Sequence, residues 1–374
     1  MGETVTRIRR IGDFRCTTST PTRLVDEAVR HFVPWEAERP VDTEWSITVL
    51  VDPLRLADLR QAAAREPAET VESFAGESWM RCHRLRGQEL FTESRYDGYA
   101  VLRDGQAVTV LLRDASAGLA RYGMRVLREL FHRSEEERGS IVMHAAACSI
   151  GQAGALIVGE KGAGKTTTLL AGCLVGGADY IANDRVIVPP DEKSWRAVGF
   201  PMVCRVHPGT ISRFPELTGL ALRPERLVRP QHGLFHEGHQ DIDVLRELAA
   251  PGTKLELTTV EMTTHLGVAT TDRSTVRCLL FPRFDAARTG VRTAPLTSES
   301  ARARLLSQCL TPDDDTWVAP WLLGRHRDAG RLRLAAAERL AAMAADTLAY
   351  EVIYGHRTGD IHAVGRIVAD LVTS

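Results

Sequence analysis

The segment from Gly154 to Thr168, GALIVGEKGAGKTTT, constrains the fold more than any other. Ala155–Val158 is a short apolar run, the pattern of a strand buried on both faces. Gly159-Glu160-Lys161-Gly162-Ala163-Gly164-Lys165-Thr166 follows and matches G-x4-G-K-[ST]. Thr167–Leu174 then reads as helix. Strand, glycine loop and helix in that order are the context in which this motif wraps a polyphosphate. Such a loop aims several backbone N–H groups inward, in conformations where a Cβ clashes, and Gly159, Gly162 and Gly164 permit them. The helix sets its positive dipole end under the phosphates. Lys165 reaches the β- and γ-phosphates and Thr166 offers its hydroxyl to Mg²⁺. Glu160, Lys161, Ala163 and Thr167 complete the cradle. The expected ligands are ATP, or another nucleoside triphosphate, and Mg²⁺.

Composition sharpens this. Of 47 basic residues, four are lysines: Lys161, Lys165, Lys193 and Lys254. Such a bias fits a GC-rich bacterial genome. Where Arg is the default cation, a lysine marks a place that needs a compact charge on a flexible stem. Two of the four stand in the glycine loop. With 374 residues the chain is long enough for two domains. Its 44% hydrophobic and 25% charged residues exclude a disordered chain. A net charge of −1 supplies no basic field for nucleic acid or an anionic membrane. The longest apolar stretches, Ile141–Ile150 and Leu169–Ala182, fall short of the ~18 residues of a membrane span. The opening MGETVTRIRR has no apolar core for a signal peptide. Seven scattered cysteines without a CxxC pair argue against a disulfide framework. These features predict a cytoplasmic protein with neither nucleic acid nor membrane as partner.

Residues 1–137 read as a smaller α+β domain, with a role in recognising the acceptor. Pro21–Val33 has helical periodicity and Trp45–Val51 reads as a strand. Tyr99–Leu112 reads as a hairpin turning at Asp104-Gly105 in the type I′ manner. Ala117–Arg133 is an amphipathic helix, and the charged SEEERG at 134–139 is the expected boundary. Residues 138–374 then form a nucleotide-binding α/β domain with a mixed sheet. It contains a Pro- and Arg-rich middle (189–250), a strand at Val276–Phe281, helices at Arg331–Leu348 and His362–Leu371, and a strand at Tyr350–Tyr354.

Two further strands carry chemistry. Tyr180–Val188, YIANDRVIV, embeds Asn183-Asp184 in apolar residues close after the loop. A carboxylate there can hold Mg²⁺ or take a proton from an attacking hydroxyl. Ile141–Ile150, IVMHAAACSI, embeds His144. A hairpin into the loop's strand would set His144 near the same place, as a catalytic group or as the orienter of Asp184.

A His in a strand, a hairpin into a P-loop and a carboxylate strand close behind resemble HPr kinase/phosphorylase and its relatives. These share a nucleotide-binding fold with phosphoenolpyruvate carboxykinases. The resemblance covers His144–Val188 well and the rest of the C-terminal part loosely. It implies Lys165 and Thr166 for phosphates and Mg²⁺, Asp184 as base or metal ligand, and His144 as its partner. It also implies a homo-oligomer. There are departures. The family's aspartate pair is Asn183-Asp184 here, which argues against the reverse phosphorylase activity. Its glycine- and arginine-rich signature is replaced by GFPMVCRVHPGTI at 199–211. Residues 1–136 do not resemble its N-terminal domain.

The resulting expectation is ATP–Mg²⁺-dependent phosphorylation of a hydroxyl on a small biosynthetic intermediate of sugar, nucleoside or amino-acid type. A serine kinase acting on a peptide or small protein and a non-catalytic nucleotide-binding regulatory module are the alternatives. Arg185, Arg205 and His207 are candidates for neutralising transition-state charge, though surface ion pairs account for arginines as well. His232, His236 and His239 with Glu237 and Asp241 read as a polar loop, with metal binding disfavoured by Gly233 and Gly238. Asp313-Asp314-Asp315 reads as a turn or helix cap.

Overall fold

The computed structural model describes residues 4–37, 41–71, 80–94, 96–115, 117–190, 194–221, 255–312 and 320–374. Lys193, Lys254, the 232–241 His-rich segment and Asp313-Asp314-Asp315 lie outside the described residues. The chain has an α/β fold and divides into two compact units. The first comprises Met1–Glu137 with Asp313–Asp328, the second Arg138–Pro312 with Ala329–Ser374. A single boundary near 137 therefore misses one feature: the chain returns to the first unit within 313–328.

The first unit is built on β1 (Val5–Ile11), β2 (Phe14–Thr20), α1 (Arg23–Arg30), β3 (Trp45–Val51), α2 (Pro53–Ala63), β4 (Ala68–Val71), β5 (Met80–Leu85), β6 (Gln88–Glu93), β7 (Tyr99–Asp104), β8 (Ala107–Leu112) and α3 (Ala117–Arg138). Its strands form one sheet in the order β1-β2-β3-β8-β7-β6-β5-β4. The β7–β8 hairpin pairs Asp104 with Ala107, so its two loop residues are Gly105 and Gln106, one position later than Asp104-Gly105. Gly105 has φ +57°, and Gln106 is not among the residues with positive φ. That excludes type I′, which needs positive φ at both positions, and leaves the glycine-first II′ kind.

The SEEER segment is no linker. It continues α3 to Arg138, and Glu135 and Glu136 are buried. Both carboxylate oxygens of Glu136 accept from Arg133, at 3.0 and 2.9 Å, and both from Arg325, at 3.0 and 3.1 Å. Glu129 accepts from the Trp321 backbone N–H at 3.2 Å. Burial raises the Glu129 carboxyl above its ordinary range, against the pull of Arg133. Acidic side chains on α3 thus hold the described part of 313–328 to this unit.

The second unit contains β9 (Ile141–Met143), β10 (Ala145–Ile150), β11 (Ala153–Val158), α4 (Lys165–Leu174), β12 (Asp179–Ala182), β13 (Val186–Val188), β14 (Arg196–Gly199), β15 (Cys204–Val206), α5 (Pro208–Ile211), α6 (Pro215–Ala221), β16 (Leu255–Leu257), α7 (Thr259–Leu266), β17 (Arg273–Phe284), β18 (Val291–Pro295), α8 (Ser298–Leu306), α9 (Ala329–Asp346), β19 (Leu348–Tyr354) and α10 (Thr358–Thr373). Its main sheet is mixed. β11, β17 and β19 are mutually parallel neighbours, while β10 and β12 extend the β11 side antiparallel. β14, β13 and β9 extend from the first half of β17.

Alternate residues of β11 enter two cores. Ala155 and Ile157 pack with Leu169, Leu170 and Cys173 of α4 and Val364 and Val368 of α10. Leu156 and Val158 pack with Leu305 of α8 and Leu340 and Met343 of α9. The central strands are therefore covered on both faces by helices, which explains their continuous apolar sequence. The α4–α10 contact is close: a Cβ on Gly365 would lie 2.4 Å from the Ala171 carbonyl oxygen. All seven cysteines are free and six are buried. Among the described residues, no helix is long and apolar enough to cross a membrane.

Candidate functional site

The glycine loop emerges from the carboxyl end of β11, beside the carboxyl ends of β17 and β19, the edge at which open α/β sheets bind ligands. Gly162 and Gly164 both have positive φ, +87° and +104°. Gly164 meets two demands. Its φ disfavours any L side chain, and a Cβ there would lie 2.1 Å from the Tyr354 hydroxyl oxygen. That hydroxyl donates to the Gly164 carbonyl at 3.0 Å, and the Thr168 hydroxyl donates to Tyr354 at 3.4 Å. The end of β19 thereby fixes the start of α4. The sequence motif contains no sign of this tie.

Lys165 is buried, and its Nζ donates to the carbonyls of Gly159 at 2.5 Å and Glu160 at 3.1 Å. It spans the loop that it belongs to. Thr166 donates its hydroxyl to Asn183 Oδ1 at 3.0 Å. Thr167 shares a 2.9 Å hydrogen bond with Thr210 of α5, which brings the 199–211 segment to the loop.

The strands expected to carry His144 and Asp184 unbroken are each broken at those residues. β9 pairs with β13 as Met143↔Val186, and β10 pairs with β12 as Ala147↔Ala182. The ladder omits residues 144–146 on one side and 183–185 on the other, resumes at Ala147↔Ala182, and shifts register by one before Cys148↔Tyr180. Asp184, at φ +73°, sits in this unpaired stretch in a backbone conformation no strand residue adopts. His144 and Asp184 meet in this gap, with Nε2 3.4 Å from Oδ1. Because Ala145 pairs with Val158, His144 stands beside Gly159, where the glycine loop begins.

Arg185 is buried and donates to its neighbour's side chain, Asp184 Oδ2, at 2.8 Å. Burial alone would raise the Asp184 carboxyl. The hydrogen bond from His144 and the charges of Arg185, His144 and Arg205 outweigh it and hold the carboxyl well below its ordinary range. Asp184 is a carboxylate at neutral pH. Arg205 also donates to Glu256 at 3.1 Å. His207 caps α5, its Nδ1 accepting from the Gly209 N–H at 3.2 Å.

The structure therefore brings together Gly159–Thr167, Asn183, Asp184 and His144. It gives the contact with Thr166 to Asn183, where the sequence pairs Thr166 with Asp184. Sequence reasoning missed Gln308, which follows α8 and lines the gap. Its Oε1 lies 2.9 Å from His144 Nδ1, and its carbonyl accepts from the His144 backbone N–H at 2.8 Å. A lone glutamine in LLSQCL offers no signal of either contact.

No protein-family model and no curated protein matches this sequence. Among solved structures, the HPr(Ser) kinase/phosphatase from Coxiella burnetii is similar at 12% identity. The match covers 62% of this chain and 93% of that one, with a TM-score of 0.25.

Proposed function

We propose that this chain binds ATP, or another nucleoside triphosphate, with Mg²⁺ at the 159–166 loop and transfers the γ-phosphoryl group to a hydroxyl. The acceptor in this reading is a small biosynthetic intermediate of sugar, nucleoside or amino-acid type. The observation that carries it is the Thr166–Asn183 hydrogen bond. It ties the glycine loop to the strand break that holds Asp184 against His144, so phosphate-binding and proton-accepting groups share one place.

Thr166 Oγ1 and Asn183 Oδ1 are adjacent oxygens, and no group of three or more His, Cys, Asp or Glu side chains gathers among the described residues. That donor set suits Mg²⁺, which keeps water and substrate phosphate oxygens around it and needs few protein ligands. Thr166 and Asn183 would hold the ion, leaving Asp184 to act as base. When bound, Mg²⁺ neutralises phosphate charge. Backbone N–H groups of the loop cradle the phosphates, and Lys165 exchanges the Gly159 and Glu160 carbonyls for them. Asp184 takes the hydroxyl proton as the new O–P bond forms and the bond to the departing nucleoside diphosphate breaks. Arg185 holds the Asp184 carboxylate in place. Catalysis of this kind is positioning and electrostatics.

A second reading, a nucleotide-binding regulatory module, draws on Asn183: a neutral amide faces Thr166 where the resembled family carries an aspartate. Calorimetric titration with Mg-ATP tests both. Heat with the wild type and none with Lys165→Ala is expected; a silent wild type removes nucleotide binding and both readings with it. Radiolabelled ATP with an extract of the source organism then separates them. Label in a small molecule supports the stated acceptor, label in a polypeptide supports a serine kinase, and binding without transfer supports the module.

A further inference from the structure

The end of β17 lies along the glycine loop. The Phe284 backbone N–H donates to the Ala163 carbonyl at 3.2 Å, and a Cβ on Gly159 would lie 3.8 Å from the Pro282 carbonyl oxygen. β17 and β19 end together, with Phe284 paired to Tyr354, whose hydroxyl holds Gly164. The two rings meet edge to face, their centroids 6.1 Å apart. Phe284 nonetheless keeps 44% of its surface exposed, and among the described residues it is the one Phe, Tyr or Trp so open. A single exposed apolar side chain is ordinary on a protein surface. Its place and its rigidity set this one apart. The chain just beyond it is pinned at three points. Asp285 N–H donates to the Tyr354 carbonyl at 3.0 Å, His356 Nδ1 to the Ala286 carbonyl at 3.2 Å, and Gly290 N–H to Asp360 Oδ1 at 2.9 Å. An aromatic ring is thus held open to solvent on fixed backbone, one hydrogen bond away from the loop that would wrap the phosphates.

We infer that Phe284 is the platform on which the base of a bound nucleoside triphosphate stacks. The inference rests on the nucleotide-binding part of the reading above. The inward N–H groups of the 159–166 loop suit phosphate oxygens, so the nucleoside of a bound triphosphate stays outside the loop. A planar base there gains from apolar surface that stands beside the loop and is not already consumed by the core. Phe284 offers that surface at low entropic cost, because its backbone is fixed and its ring turns on only two torsions. Stacking tolerates any base, since every base has a π-face. Phe284 therefore sets how tightly a nucleoside triphosphate is held rather than which one is chosen.

Calorimetric titration of the full chain with two probes, Mg-ATP and Mg-tripolyphosphate, tests this. The second probe carries the phosphates without the nucleoside. The wild type should bind Mg-ATP more tightly than Mg-tripolyphosphate. Phe284→Ala should weaken Mg-ATP by about tenfold and leave Mg-tripolyphosphate unchanged. Phe284→Tyr, which keeps a ring, should bind Mg-ATP as the wild type does. Phe284→Leu, which keeps apolar bulk against Tyr354 without a π-face, should still be weakened. Mg-ATP held by Phe284→Ala as tightly as by the wild type overturns the inference. So does an equal loss for both probes, the mark of a side chain that only supports the loop. A wild type that binds the two probes equally overturns it as well. A wild type that binds neither probe defeats nucleotide binding itself, the reading on which the inference rests. If Phe284→Ala fails to fold, Phe284→Leu and Phe284→Tyr decide by the same comparison.

Discussion

His144 Nε2 lies 3.4 Å from Asp184 Oδ1 across a gap in a β-ladder that ends at Met143↔Val186 on one side and restarts at Ala147↔Ala182 on the other. Such a gap gives two polar side chains room to meet between the apolar runs IVM and AAAC of β9 and β10. It also leaves Asp184 next to Asn183, the residue bonded to Thr166.

Replacing Asp184 by Asn keeps the shape and removes the base. In Mg-ATP turnover assays, kcat should drop by about 100-fold or more, the range of general-base contributions. The calorimetric affinity for Mg-ATP should change little. An unaltered kcat would take the base assignment away from Asp184.

Acid stability should respond to the same residue. The folded chain holds the Asp184 carboxyl below its ordinary value, so it favours the ionised form. The contribution to stability is complete above the unfolded-chain value, near pH ~4, and fades as pH falls towards the lower folded value. Melting temperatures of Asp184→Asn, recorded from roughly pH 6 to pH 3, should decline less steeply than those of the wild type. Parallel curves would contradict the coupling.

Gly164→Ala should damage the loop in two ways, through its φ of +104° and through the Tyr354 hydroxyl. The backbone cost alone is of order 1–3 kcal/mol. Chemical denaturation of Gly164→Ala, Tyr354→Phe and the double variant separates the two effects. The double variant should be more stable than the sum of the single losses implies, since removing the hydroxyl relieves the clash. Strict additivity would show that the clash is absent.

Glu136→Ala should destabilise the chain by about 3 kcal/mol, because it removes the carboxylate 2.9 Å from buried Arg133, leaving that guanidinium its longer 3.7 Å ion pair with Glu129, and releases Arg325. Urea unfolding would measure this. A loss under about 1 kcal/mol, the scale of a solvated surface pair, would show that the cluster is wet.

Much of the fold can be read along the chain. Trp45–Val51 stands as expected because its flanks change character at both ends. The strand–loop–helix order around Gly159 is as the motif implies. What periodicity misses is interruption. Apolar residues run on past His144 and Asn183-Asp184-Arg185, so the spelling of one long strand and of two short ones is the same. The break depends on the positive φ of Asp184, a conformation that no neighbouring residue type announces. SEEER looks solvated by composition, yet its Glu136 is buried and neutralised by Arg133 and Arg325. Gln308 is invisible for a related reason: its partner lies more than 160 residues away in sequence.

The return of the chain to α3 within 313–328 has a practical corollary. Cutting the gene at codon 137 would give an N-terminal fragment without Trp321 and Arg325, which Glu129 and Glu136 hold, and a C-terminal fragment carrying them as a foreign insert. Separate expression of either half calls for excising that insert from one fragment and grafting it onto the other.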